Sequence, residues 1–139
     1  MKKRYFTVCL MISLLISFSV MPSYAAVREP DVEPMALYYL SAQASISISS
    51  NGTAEAIGKI TGIAGVTTKT TVHLYLQQYK NGKWVDIGDW LDSGETVNRT
   101  LTKQNTVEKG YKYRAKASCY AYSGTKSEHV TKYSAEVYY

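Results

Sequence analysis

"VEKGYKYRAKASCYAYSG", residues 107–124, decides how the rest of the chain is read. A strand points successive side chains to opposite sides, so Tyr111, Tyr113, Ala115, Ala117, Cys119 and Ala121 share one face. Lys112, Arg114, Lys116, Ser118, Tyr120 and Tyr122 share the other. The charges mark the wet face. Cys119 therefore points inward, where a free thiol behaves as a small hydrophobe.

Working outward, the same period of two recurs and helical spacing does not. "LSAQASISI" sets Leu40, Ala42, Ala44, Ile46 and Ile48 against Ser41, Gln43, Ser45 and Ser47. Asn51-Gly52 then predicts a hairpin in which both turn residues take positive φ. "TAEAIGKI" returns with Ala54, Ala56, Gly58 and Ile60 as its inner set. In "TVHLYLQQY", Val72, Leu74 and Leu76 oppose His73, Tyr75, Gln77 and Tyr79, and Asn81-Gly82 makes the next turn. "KWVDIGDWL" pairs back with Val85, Ile87 and Leu91 inward, and Gly88 marks a bulge that swings Trp90 into the core. "TVNRTLTKQNTV" is a weaker strand, because Arg99 shares the phase of Val97 and Leu101. The last strand places Tyr133, Ala135, Val137 and Tyr139 inward. Val130 is out of phase with them, which predicts an irregular start.

Seven strands separated by glycine-containing turns predict an all-β fold, a seven-stranded antiparallel sandwich. The first, second and fifth strands form one sheet, and the third, fourth, sixth and seventh form the other. Within "VEKGYKYRAKA", Tyr113 opens the penultimate strand and small residues follow at alternate positions. This resembles the tyrosine corner of fibronectin type III and immunoglobulin-like domains, which implies a hydroxyl bonded back to the preceding crossover. Val107 stands where those domains usually keep a leucine. The second strand offers Ala54, Ala56 and Gly58 in place of the immunoglobulin cysteine, and it lacks the fibronectin tryptophan. In wider texture, "YLQQYKNGKW", "KGYKYRAKA", "AYSG" and "KYS" resemble a family of small secreted proteins of Gram-positive bacteria whose activity is uncharacterised. That resemblance covers residues 40–139 or so, and it implies export and a β-sandwich.

The front of the chain predicts where the protein goes. Lys2, Lys3 and Arg4, the apolar run "VCLMISLLISFSV" and the small residues of "SYA" read as a secretory signal peptide over 1–25, cleaved near Ala25. The run is shorter than the 20 or so residues a membrane anchor needs, so membrane contact is expected only in transit. "VREPDVEPM" then forms a flexible, proline-containing leader over 26–35, and the sandwich occupies 36–139. Losing the three leading cations takes the 16 Lys and Arg to 13 against 11 Asp and Glu, a net charge of +2. Nucleic-acid binders carry a clear basic stripe, so this class is excluded. Cleavage leaves 114 residues of the 139, one domain's worth, with Cys119 as the single cysteine and hence no internal disulfide.

Few motifs carry chemistry. Asp86, Asp89, Asp92 and Glu95 spread over a strand and a turn, in neither the paired geometry of a glycosidase nor a calcium loop. His73 and His129 with a buried thiol are too few for zinc, and serine lacks a nucleophile elbow. The expectation is no enzyme, no metal and no cofactor. The remaining signal is the outward set Tyr75, Tyr79, Trp84, Tyr120 and Tyr122, a candidate binding face for a cell-envelope glycan or an extracellular protein. The bland alternative is that tyrosine is simply a good strand former on a half-wet surface. A small bacteriocin-like or toxin-like effector is the other reading of a short exported chain. Oligomeric state is left open by the sequence.

Overall fold

The two Asn-Gly dipeptides close different turns. At Asn81-Gly82 both residues have positive φ, 53° and 77°, and the flanking Lys80 and Lys83 pair directly. This is the two-residue hairpin whose twist matches the strands it joins. At Asn51-Gly52 only the glycine is left-handed, with φ of 86°. There Ser49 N donates to Thr53 O at 3.0 Å, and Asn51 Oδ1 accepts from Thr53 N at 3.0 Å. The asparagine side chain thus organises a longer loop instead of adopting the second positive φ that the dipeptide predicted.

The structure, a computed structural model, describes residues 36–139. The signal segment and the leader expected before them lie outside the described residues. The strands are β1 (Tyr39–Ile48), β2 (Thr53–Gly62), β3 (Lys69–Lys80), β4 (Lys83–Gly94), β5 (Asn98–Thr106), β6 (Lys112–Ser123), β7 (Lys126–Tyr133) and the short β8 (Val137–Tyr138). They form two antiparallel sheets, β1-β2-β5 and β4-β3-β6-β7, with β8 also paired to β6. The partition of the seven main strands is the one expected.

Between the layers, Ile60, Val72, Leu74, Ala115, Ala117 and Cys119 are fully buried. Small residues let the sheets approach closely. A Cβ on Gly58 would lie 2.8 Å from Val72 Cγ1 and 3.1 Å from Ala117 Cβ. Cys119 Sγ faces the Lys59 carbonyl at 3.9 Å, and burial pushes its thiol up from 9.0 to about 11. The thiolate that reactivity requires is thereby disfavoured.

A second buried group gathers Ala54, Leu76, Val107 and Tyr113. Tyr113 Oη donates to Glu108 O at 2.7 Å and accepts from Glu108 N at 3.1 Å and Gln78 Nε2 at 2.9 Å. The ring fills the core while its hydroxyl ties the β5–β6 crossover to β3, as the tyrosine-corner pattern implied.

Three local slips correct the expected phases, because one extra residue moves everything beyond it to the other side. Register shifts between Tyr39 and Ser41, so Tyr39 packs on the core and Leu40 is 69% exposed. A bulge at Ile87 pairs Leu76 with Gly88 but Gln77 with Asp86. Trp90 therefore enters the core beside Ile87, as the bulge expected at Gly88 implied, whereas Leu91 turns outward at 64% exposure. Val85, opposite buried Gln78, keeps the inward phase but is exposed. Gly88 is required beneath that indole, since a Cβ there would sit 2.3 Å from the ring. The last correction lies between β7 and β8. Val130 pairs with Cys119 on the inward side, so the irregularity falls after Tyr133 and not at the start. Tyr133 and Ala135 are exposed, and Ser134 bridges the break by donating N–H to Ala115 O while its Oγ accepts from Ala115 N, at 2.9 and 2.8 Å.

Arg99 does share the inward phase of Leu101, and it is accommodated at the end of the sandwich. Its guanidinium pairs with Asp92 and donates through Nε to Thr70 O at 3.2 Å. Such a pair satisfies charges that would otherwise be half-buried alone.

Candidate functional site

The outer face of the β4-β3-β6-β7 sheet holds the expected candidates, and antiparallel register decides their neighbours. Tyr79 lies opposite Trp84 on one side and Lys112 on the other. Tyr75 lies between Asp89 and Lys116, Tyr120 between Thr71 and His129, and Tyr122 between Lys69 and Ser127. Tyr79 and Trp84 thus sit at one end of the face, Tyr120 and Tyr122 at the other, and Tyr75 midway. The five share a surface, and their ring contacts fall into three groups: Tyr79 with Trp84, Tyr75 with His73, and Tyr120 with Tyr122 and His129. With β3 and β6 antiparallel, advancing along one strand means retreating along the other.

At the first end, the Tyr79 and Trp84 rings are tilted with centroids 5.2 Å apart. With Lys112 and Glu136 they line a shallow hollow of about 300 Å³, in which the lysine and the glutamate pair at 3.4 Å. At the far end, Tyr120 stacks with Tyr122 at 6.4 Å and packs on His129 at 4.4 Å. There Tyr122, Lys69, Glu95, Thr68 and Gly124 line a second hollow of about 460 Å³. Each hollow combines an aromatic ring with one cation and one carboxylate. Rings offer flat apolar area, and the charged groups offer hydrogen bonds at its rim.

The middle of the face is polar and tightly linked. His73 stacks on Tyr75 with centroids 4.2 Å apart. Its Nε2 meets Asp89 Oδ1 at 2.5 Å and its Nδ1 meets Tyr75 Oη at 2.8 Å. Burial first, and then the charges of Asp89 and Asp86 with Tyr120, raise the Tyr75 pKa. The imidazole thus links the phenol to the carboxylate through its two ring nitrogens. Lys116 Nζ lies 3.9 Å from the Tyr75 ring centroid, over its face.

Arg114 and Tyr133 complete the middle. The guanidinium lies over two rings, Trp84 at 4.2 Å and Tyr133 at 4.3 Å. Alternation in the last strand predicts Tyr133 in the core, whereas it is 53% exposed. The signal for its true side was Val130, whose inward phase throws a residue three positions later outward.

The acidic stretch does not converge. Asp86 accepts from Gln77 Nε2 at 2.6 Å, Asp89 engages His73, and Asp92 faces inward to Arg99. Among the described residues no three His, Cys, Asp or Glu side chains gather as a metal site. No family model, curated protein or solved structure matches the chain.

Proposed function

We propose that this is an exported, non-catalytic binding module that holds a cell-envelope glycan across the outer face of β4-β3-β6-β7. One observation carries the reading. Both sheets present an outer face to water, yet the rings lie on only one of them. The outer side of β1-β2-β5 bears Ser41, Gln43, Ser45, Ser47, Thr100 and Thr102, with no aromatic. Strand propensity applies to both sheets alike, so it does not account for rings on one side alone. Rings beside charged and amide groups suit the apolar face and hydroxyl edge of a sugar.

Export is supported by the basic start, apolar run and small-residue cleavage pattern of residues 1–25, in keeping with the small secreted proteins of Gram-positive bacteria that the sequence resembles. Secretion from a Gram-positive host and N-terminal sequencing of the medium fraction tests this. A mature chain starting at Ala26 is expected, and an uncleaved chain held in the membrane refutes it.

The binding test is retention on purified cell walls. Replacing Tyr79 and Tyr120 with alanine together should lower retention at least tenfold. Unchanged retention removes the proposal. Protease treatment of the walls should leave retention intact, whereas its loss means a protein ligand.

A further inference from the structure

Arg114 is held more firmly than any structural need for a surface cation explains. Its guanidinium carbon lies over both the Trp84 and Tyr133 rings, at 4.2 and 4.3 Å from their centroids. Its Nε donates to Gln77 Oε1 at 2.8 Å, and Gln77 is itself buried and fixed by its bond to Asp86. Among the described residues, neither terminal nitrogen of this guanidinium has a hydrogen-bond partner, and no carboxylate pairs with it. The planar fork is therefore oriented through Nε with its terminal donors unused.

Lys116 follows two positions later on the same face, about 6–7 Å along the strand. Its ammonium lies over Tyr75 and likewise takes no carboxylate. The acids that could have neutralised the pair are committed elsewhere: Asp86 to Gln77, Asp89 to His73 and Glu136 to Lys112. Solvated lysines without ion pairs are ordinary. Lys69, Lys80 and Lys109 also lie over rings, at 5.2, 5.7 and 5.6 Å, but Arg114 and Lys116 sit closer, at 3.9–4.3 Å, side by side on one strand with the neighbouring carboxylates turned to other partners.

We infer that Arg114 and Lys116 form an oxyanion subsite, and that the glycan held by this face is acidic, bearing carboxylate or phosphate groups. The inference rests on the glycan-binding reading above. A fixed guanidinium fork matches either oxyanion with two parallel hydrogen bonds, and its ordering cost is met on folding rather than on binding. Lys116 contacts the next charge along the chain as a point cation. The Tyr79–Trp84 hollow beside Arg114 takes the sugar ring that carries the anion.

Calorimetric titration of the protein with four polymers tests this: polygalacturonate, poly(glycerol phosphate), neutral dextran and polyglutamate. One or both of the first two should bind, more weakly as salt rises, and whichever binds identifies the oxyanion. Dextran should not bind. Arg114→Lys keeps the charge but loses the fork, and should weaken binding about tenfold with an unchanged β-type far-ultraviolet spectrum. Lys116→Gln should weaken it about threefold, and it carries the same test if the arginine variant does not fold. Dextran binding as tightly as the acidic polymers overturns the subsite and leaves the glycan reading standing. Both substitutions without effect do the same. Tighter binding of polyglutamate makes the partner an acidic peptide and overturns the inference. No binding to any of the four overturns the subsite and the glycan reading together.

Discussion

The two outer faces of this sandwich solve the same problem differently. On β1-β2-β5, serine, threonine and glutamine keep the strands soluble, and one cross-strand bond, Gln104 Nε2 to Glu55 Oε2 at 2.9 Å, is typical of that side. On β4-β3-β6-β7, rings, cations and carboxylates interlock from Trp84 to Tyr122. Both faces cover a common core and neither is needed to fill it. The difference teaches that the aromatic content of the chain is placed by side and not by strand propensity alone.

Substituting the shared core should hit both sheets at once. Leu74→Ala removes a fully buried side chain packed between them and should cost about 2–5 kcal/mol in urea unfolding. The loss should appear as one transition by every probe; two transitions would mean that the sheets are independent and that their faces cannot be compared on one framework.

The thiol between the layers gives a pH-dependent version of the same test. Because the folded Cys119 holds its proton up to about 11, the unfolded chain ionises first as pH rises past 9.0. Stability from this group is complete below that value and declines through the window up to about 11, by roughly 2–3 kcal/mol in total. Denaturant midpoints at pH 8 and 10.5 should differ more for the native chain than for Cys119→Ala. Equal differences would show that the sulfur is not sealed between the sheets. In the native protein at neutral pH, a bulky disulfide reagent should leave this thiol untouched.

Tyr113→Phe keeps the ring and removes three hydrogen bonds, leaving Gln78 and the Glu108 backbone unpaired. The expected cost is about 1–3 kcal/mol by thermal unfolding, and a neutral change would mean that the crossover is held by packing alone. The smallest effects sharpen the comparison most. Tyr120→Ala should cost only about 0.2–1 kcal/mol of stability, the value of a cross-strand ring contact. Gln104→Ala on the opposite face should stay within about 0.5 kcal/mol. If Tyr120→Ala instead cost several kcal/mol, the rings would be structural and the asymmetry between faces would lose its functional meaning.

Much of this was legible along the chain because strand alternation is local. Lysines and arginine at every second position of β6 identify its wet side, and that places Cys119 and its alanine neighbours inside without any tertiary information. Tyr113 after Val107 likewise marks the crossover, since the spacing to Glu108 is short enough for one side chain to span. Gly88 beside Trp90 signals its own purpose, because an indole turned inward at that point needs the missing Cβ.

Leu40, Leu91 and Tyr133 were misplaced for the complementary reason. Leu40 is itself the residue skipped in the β1 pairing, Leu91 lies beyond the Ile87 bulge, and Tyr133 is separated from Val137 by the β7–β8 break. Alternation alone does not show on which side of a slip a residue falls. Whether the rings meet was equally hidden: Tyr79 and Tyr120 are on one face by sequence, but their separation follows from which residues pair across β3 and β6. The sequence by itself determined the alternation, the turns and the buried side of each long strand, since these depend on neighbours a few residues apart. Only the tertiary structure decided the slips at Leu40 and after Tyr133, the stacking of Trp84 and Tyr133 on Arg114 and the spread of the rings along the face. Those arise from contacts between strands far apart in the chain, where a shift of one residue exchanges core for solvent.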